Sequence, residues 1–386
     1  MADIVIPKPQ GTGVYAINFD VYYGTGTGLQ RQNWGTSESF VMQNVFVADL
    51  DGDGRSDLII AGGVYGPTYG NATRIFLARE NGFIPAPAQY QLPNGEIAVA
   101  AVDVNGDGRS EIIHHNGNLA VRIRVSQGQA PDLLTTVTND HGGKTRITYK
   151  PSSAWVNDRL PTLLHTVASV ELDNGQNVIG RTDFSYSGGF YDSVERRFLG
   201  FRNARAVLPC NPGETLCPER YFAFQQDVAS AGAVKELEFW TGPKPGVVAA
   251  GVPTGVMLRK DVNTWDVNTN VAALPYWARN IASDRNEYDG GATKTSRTER
   301  TFDAYNNVLV LTEKGDVADA TDDKRLVRQH FPNTTAYIVD RPGSEAHYRV
   351  DGTVMSETRF SYDGAASYTT PPLRGDVTQT ARSLVP

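Results

Sequence analysis

The chain has 386 residues, with 36 Lys and Arg against 43 Asp and Glu and a formal net charge of −7. That balance argues against a nucleic-acid-binding surface, and no apolar run reaches the roughly 18 residues that a membrane-spanning helix needs. Hydrophobic residues at 40% and charged residues at 20% suit a soluble globular chain of two or three domains, and 38 Gly, 17 Tyr and 15 Phe against 4 Met favour strands and tight turns over helices.

The start, Met1-Ala-Asp-Ile-Val-Ile-Pro7, has neither a basic region nor an apolar core and does not read as a signal peptide; a fragment, or a chain exported by another route, would look the same. Residues 1–40, with Tyr22-Tyr-Gly-Thr-Gly-Thr-Gly28, are expected to form an incomplete unit of the repeat that follows. That repeat is marked by Asp49-Leu-Asp-Gly-Asp-Gly-Arg-Ser-Asp57, with carboxylates at positions 1, 3, 5 and 9 (Asp49, Asp51, Asp53, Asp57) and glycines at positions 4 and 6 (Gly52, Gly54). It returns as Asp103-Val-Asn-Gly-Asp-Gly-Arg-Ser-Glu111, where Asp103, Asn105, Asp107 and Glu111 hold the same places and Gly108 holds position 6.

Four acids this close repel one another unless a cation sits among them, and oxygen ligands at alternate positions suit a hard cation of calcium size. Position 7 (Arg55, Arg109) would contribute its backbone carbonyl and point its charged side chain outward. The flanks are not those of an EF-hand: position 12 is Ile60 or His114 rather than a bidentate Glu. Val45-Phe-Val47 and Leu58-Ile-Ile-Ala61 around the first loop, and Val99-Ala-Ala-Val102 and Ile112-Ile113 around the second, read as buried strands joined by the loops. A plain Asp/Gly hairpin turn is the alternative, and two matching copies weigh against it.

The copies start 54 residues apart, at Asp49 and Asp103, and Ala72–Ala78 and Ala120–Val125 alternate like further strands of each unit. Several strands per period is what propeller blades show. Residues 40–126 resemble the FG-GAP/VCBS blade of integrin-type propellers and of many bacterial surface proteins. Two or three blades do not close a ring, so the remaining sheets would come from elsewhere.

Next, Leu133–Val137 and Thr145–Tyr149 read as strands joined by Asn139-Asp-His-Gly-Gly143, with Arg146, Thr148 and Lys150 on one side and Ile147 and Tyr149 on the other. Thr166–Leu172 and Arg181–Tyr186 form a second pair around Asp173-Asn-Gly175, followed by Gly188-Gly-Phe-Tyr-Asp192 and Arg196-Arg-Phe-Leu-Gly-Phe201. This order of phrases, from Pro131 to Phe201, resembles the middle region of the B component of bacterial insecticidal toxin complexes and of related proteins that join a propeller to Rhs/YD repeats. Arg197 and Leu199 stand where those relatives have Glu and a second Arg.

Cys210 and Cys217 enclose Asn-Pro-Gly-Glu-Thr-Leu, a turn able to bring them within disulfide distance; two cysteines alone make a poor zinc site. Free thiols are the other reading. Phe222–Asp227 and Ala233–Trp240 read as strands, the second also passing for a short helix, and Ala249–Leu258 reads as core. Tyr288-Asp289, Phe302-Asp303 and Tyr362-Asp363 resemble YD repeats, in which the aromatic packs on a hairpin and Asp makes its turn.

The expected fold is therefore all-β. FG-GAP/VCBS-type blades of a partial propeller occupy residues 1–130, the β-rich toxin-complex middle region 131–260, and YD/Rhs-like hairpins of a shell segment 261–386. No catalytic set is legible. The six His lack His-Glu-x-x-His spacing, and neither a Gly-x-Ser-x-Gly elbow nor a phosphate-binding glycine loop occurs. His114-His115 reads as a strand end, and Arg374-Gly-Asp376 as a hairpin turn rather than an integrin ligand. The resemblance implies a non-catalytic, secreted or surface-exposed protein with Ca2+ in its loops. Its partners would be a translocation component and a toxic C-terminal cargo. An adhesion module that stacks sugars on Tyr65, Tyr69, Trp265 or Trp277 is the second reading.

Overall fold

In the computed structural model the described residues are 4–8, 16–24, 28–51, 53, 55–64, 70–79, 82–117, 120–126, 133–176 and 178–384. Among them the helices are three single turns of 3-10 type, at Ser152–Ala154, Val271–Ala273 and Ala320–Asp322, so the fold is all-β. The chain divides into two compact units, Met1–Val137 with Leu163–Thr166, and Thr138–Thr162 with Val167–Pro386.

The first unit holds two sheets. Strands β1 (Ile4–Pro7), β2 (Ala16–Gly24), β3 (Leu29–Ala48), β4 (Asp57–Val64), β5 (Gly70–Arg79) and β6 (Gly82–Pro85) form one antiparallel sheet in chain order. Strands β7 (Ile97–Val102), β8 (Glu111–His115) and β9 (Val121–Arg124) form the other. The described strands of residues 1–40, expected as an incomplete repeat unit, belong to the sheet of the first repeat. β3 is 20 residues long, pairs with β2 through its first half and with β4 through its second, and so carries β1 and β2 into the sheet of the first repeat. It contains one glycine and no proline, so nothing in it stops the strand.

β4 is buried on both faces, which explains its continuous apolar run. Leu58 and Ile60 pack with Phe19, Phe40 and Phe76, while Ile59 and Ala61 pack with Ile75, Leu77, Ile97, Ala98 and Ile112. The second cluster joins the two repeats. Thr73 on β5 adds a polar tie, its Oγ1 accepting from Ala98 N at 2.9 Å and donating to the Glu96 carbonyl at 3.1 Å.

The second unit is built on one sheet of fifteen antiparallel strands in unbroken chain order. They are β10 (Thr136–Thr138), β11 (Lys144–Pro151), β12 (His165–Asp173), β13 (Ile179–Asp192), β14 (Arg197–Val207), β15 (Glu219–Phe224), β16 (Val234–Trp240) and β17 (Met257–Asn268), then β18 (Trp277–Asp289), β19 (Ala292–Phe302), β20 (Val308–Lys314), β21 (Lys324–His330), β22 (Pro342–Arg349), β23 (Val354–Tyr362) and β24 (Val377–Leu384). No break falls at residues 260/261, since β17 runs through them.

Three local expectations are corrected or sharpened. The first strand of this region is Thr136–Thr138 rather than 133–137, because Asn139 caps the following turn: its Oδ1 accepts from His141 N at 3.1 Å and Gly143 N at 2.8 Å. Val234–Trp240 is a strand, not a helix. Residues 249–256 are an exposed connection rather than core, with Val252 and Val256 in solvent; apolar composition without a period of 2 gave no face to bury.

Candidate metal centre

The first acidic loop closes where Ala48 on β3 pairs with Asp57 on β4. Asp57 is fully buried. Its Oδ2 accepts from Leu50 N and its Oδ1 from Ala78 N, both at 2.8 Å, so it ties the loop to β5. Asp49 Oδ1 accepts from Asp53 N at 3.2 Å, and Asp53 Oδ1 from Arg55 N at 3.0 Å. Carboxylate oxygens of Asp49, Asp51 and Asp57 lie within 4.8 Å of one another. Arg79, at the end of β5, reaches in with Nη2 at 2.7 Å from Asp51 Oδ2 and Nη1 at 3.2 Å from Asp53 Oδ2. Asp51 Oδ1 is buried and has no hydrogen-bond partner. Burial raises the Asp57 carboxyl, the two amides oppose it, and the charges of Asp51 and Asp49 raise it further, to about 6. The cluster thus holds more negative charge than Arg79 neutralises. Arg55 is exposed, and Gly52 and Gly54 lie outside the described residues.

The second loop closes the same way, with Val102 on β7 paired to Glu111 on β8 and buried Glu111 accepting from Val104 N through Oε2 at 2.9 Å. Its other acids are satisfied differently. Asp103 accepts from Gly106 N at 2.6 Å, Asp107 N at 3.2 Å and Gly108 N at 2.9 Å. Asn105 Nδ2 donates to Asp107 at 3.1 Å. Arg109 does not point outward as expected; its Nη2 sits 2.7 Å from Asp107 Oδ2, and this pairing first, together with further hydrogen bonds, holds the Asp107 carboxyl below its usual range. Gly108 has φ of 88°, the left-handed conformation that favours glycine at the sharp turn.

A hard cation therefore fits the first loop, where Asp49, Asp51 and Asp57 converge and one buried oxygen lacks a donor. In the second loop the carboxylates of Asp103, Asp107 and Glu111 accept from the loop's own amides and Arg109, so the three-carboxylate convergence seen among the described residues is that of the first loop. Sequence reading missed Arg79, which is brought in by strand pairing from outside the motif. It also missed that His114 is buried against Glu96, which Arg122 approaches from β9. Burial works against the Glu96 carboxylate, but these two partners prevail and keep its pKa below the ordinary value.

In the second unit, Gly188-Gly189 lies where residues 156–159 pair alongside β13, with Gly188 N donating to the Val156 carbonyl at 2.8 Å and Tyr191 N to that of Arg159 at 2.6 Å. A Cβ on Gly189 would stand 2.5 Å from Asn157 Oδ1 and 3.0 Å from the Phe201 ring. Trp155, Tyr186, Phe201 and Phe198 form a chain of ring contacts with centroids 5.0–5.7 Å apart beside this crossing. Cys210 and Cys217 are joined, with Cα atoms 4.5 Å apart.

Each of the three aromatic-Asp pairs stands at a strand end. Asp289 opposes Ala292 across Gly290-Gly291. Asp303 accepts from Tyr305 N at 2.8 Å and Asn307 N at 2.9 Å. Asp363 accepts from Leu373, Arg374, Gly375 and Asp376 N at 2.6–3.2 Å. The amide of Arg374 leads these four in holding the Asp363 carboxyl down at about 2. The Arg-Gly-Asp backbone is thus a collar on Asp363. Of the aromatics considered for sugar stacking, Trp265 is half-buried and donates to the Val234 carbonyl at 3.0 Å. Trp277 is covered by Arg279 at 4.0 Å, and Tyr65 and Tyr69 lie outside the described residues.

The chain is thus an all-β protein with paired acidic loops and a long meander, a class that likeness to known proteins narrows. Residues 77–215 match the family model for the insecticide toxin TcdB middle/N-terminal region. The fold is that of TcdB2-TccC3 without its hypervariable C-terminal region, with a TM-score of 0.64 at 15% identity over 94% of this chain and 24% of that one. TcdB2-TccC3 itself gives 0.63 at 15% identity over 94% and 25%. A Tc holotoxin pore of Photorhabdus luminescens gives 0.63 at 15% identity over 94% and 23%. The chain spans about a quarter of the length of these structures. No curated protein matches it. Residues 77–215 are thus similar to the TcdB middle/N-terminal region, and the fold of the chain is that of the toxin-complex structures. No helix among the described residues is long and apolar enough to cross a membrane.

Proposed function

We propose that this chain is a non-catalytic structural section of a secreted Rhs/toxin-complex B-like protein. In this reading, calcium-stabilised propeller blades lead into a β-shell that encloses or delivers a toxic polypeptide. The observation that carries the reading is the fifteen-stranded meander. Strand follows strand without a crossover, and among its described residues the unit's buried apolar side chains are few: Leu199, Ala206, Ala346, Tyr362 and Pro372. A layer with so little core is built as a wall rather than as a globule, and the aromatic-Asp hairpins at its strand ends are read as YD repeats.

The blade reading has its own support. The first repeat is covered on both faces of β4, whereas the second buries Ile112 inward and leaves Val102, Val121 and Ile123 46%, 66% and 50% exposed on the other face. A further sheet stacked there would repeat the packing already made between the two repeats. Calcium would be held by Asp49, Asp51 and Asp57, where it would supply the positive charge that Arg79 alone does not. The translocation component and the toxic cargo would be the partners.

The test is a chimera in which this chain replaces the matched quarter of TcdB2 in TcdB2-TccC3. The expected result is a soluble complex whose hypervariable C-terminal region resists added protease. A folded, soluble chimera that leaves this region as protease-sensitive as the free polypeptide would sink the shell reading.

A further inference from the structure

One face of β15–β19 carries charge that the chain does not neutralise. Arg220, Phe239, Arg259, Glu287 and Lys294 are direct cross-strand partners in succession and so share that face. Asp261 and Arg285, two residues along β17 and β18, lie on it too. Two guanidinium carbons lie near the Phe239 ring centroid, Arg220 Cζ at 5.3 Å and Arg259 Cζ at 3.7 Å, which holds both side chains against the sheet. Arg259 Nη2 is 3.1 Å from Asp261, and its Nε is buried without a hydrogen-bond partner. Arg285 reaches Asp261 only at 3.4 Å. Arg220 and Lys294 are exposed and make no ion pair among the described residues.

The opposite face of the same strands is different. There Lys244 lies 2.6 Å from Glu238, Lys260 2.7 Å from Glu236 and Arg297 2.5 Å from Asp284, and Arg205 makes two hydrogen bonds to Glu219. At these registers, then, the cations of the opposite face are paired with acids, whereas Arg220 and Lys294 make no ion pair among the described residues.

We propose that this face docks an acidic, extended polypeptide segment. Pre-oriented arginines beside an aromatic are the composition of protein interfaces, and cations without acids select a partner that brings them. Five strands at their ordinary spacing span roughly 19 Å, the reach of about six extended residues. Asp261 and Glu287 interrupt the patch, and the chain as a whole carries a charge of −7; both disfavour a nucleic-acid backbone, which needs an unbroken basic track. The inference does not depend on the shell reading.

The full chain is titrated into a short fluorescein-labelled poly-glutamate peptide at low ionic strength and followed by anisotropy. The expected result is saturable binding, weakened about tenfold or more in Arg220→Glu/Lys294→Glu. Arg374→Glu/Arg382→Glu, the same charge change at the other end of the strand order, should stay within about twofold. If the first pair fails to fold, Arg220→Gln/Lys294→Gln replaces it, with a loss of about threefold expected. No saturable binding by the unaltered chain would overturn the proposal. So would equal weakening by both pairs, or a DNA oligonucleotide of equal charge binding as tightly as the peptide.

Discussion

Asp57 and Glu111 occupy the last position of their loops, where the motif alone reads them as cation ligands, yet both spend an oxygen on the amide of the loop's second residue. A buried carboxylate that receives such bonds is a strut whether or not a cation is bound. Asp363 does the same for a hairpin, with four amides on one carboxylate. Because its folded pKa, about 2, lies below the ordinary Asp value of about 3.9, its contribution is present above pH 4 and is lost as pH falls toward 2. In urea unfolding, Asp363→Asn should lower the midpoint near neutrality and flatten its fall between about pH 4 and about pH 2 relative to the unaltered chain. Parallel pH curves for the two proteins would show that the collar does not stabilise the fold. The turn-forming role of these acids was legible because Asp and Gly at fixed offsets leave few backbone choices. Their electrostatic partners were not: Arg79 and Arg122 arrive by strand pairing 26 residues from Asp53 and Glu96 respectively, a distance no local pattern encodes.

Gly188-Gly-Phe-Tyr-Asp192 shows what can be read from a phrase at the level of an element and what cannot. The phrase and its place before Phe198-Leu-Gly-Phe201 were visible in sequence. The reason for the glycines was not, since it lies in residues 155–159, which run beside β13 and leave no space for a Cβ at position 189. Gly189→Ala should push Asn157 from its bonds to the Ser152 and Trp155 carbonyls and cost about 1–3 kcal/mol. Limited proteolysis should then cut between residues 152 and 164 faster than in the unaltered chain. Unchanged stability and cleavage would mean that the crossing segment yields at no cost. Strand positions in this region were mostly legible because alternation and turn residues coincide, as in β11 and β12. Residues 249–258 misled because an apolar run without alternation looks like core wherever it lies.

Across the whole molecule the two units rest on different physics, and the proposed calcium site falls in the first. The first is held by apolar clusters that bury both faces of β4, with an acidic cluster at the edge of that core. The second is a single sheet laced by cross-strand ion pairs and hydrogen bonds. Added calcium should therefore act on the first unit alone. Hydrogen exchange with about 1 mM calcium, against excess chelator, should slow the amides of β3, β4 and β5 while those of β11–β24 stay the same. Asp51→Asn should abolish that response and cost less stability in chelator than Asp57→Ala, because among the described residues Asp51 pairs through Oδ2 with the half-exposed Arg79 and its Oδ1 has no partner to lose. Asp57→Ala should destabilise the unit by about 2–4 kcal/mol in either condition, because it strips partners from two buried amides. The pair of variants keeps ligand and strut apart. A calcium response that survives Asp51→Asn, or that needs Asp107 in the second loop, would move the site away from the convergence of Asp49, Asp51 and Asp57. No response at all would leave Arg79 as the counter-charge to Asp51 and Asp53 and make the loop a hairpin closed by its own acids.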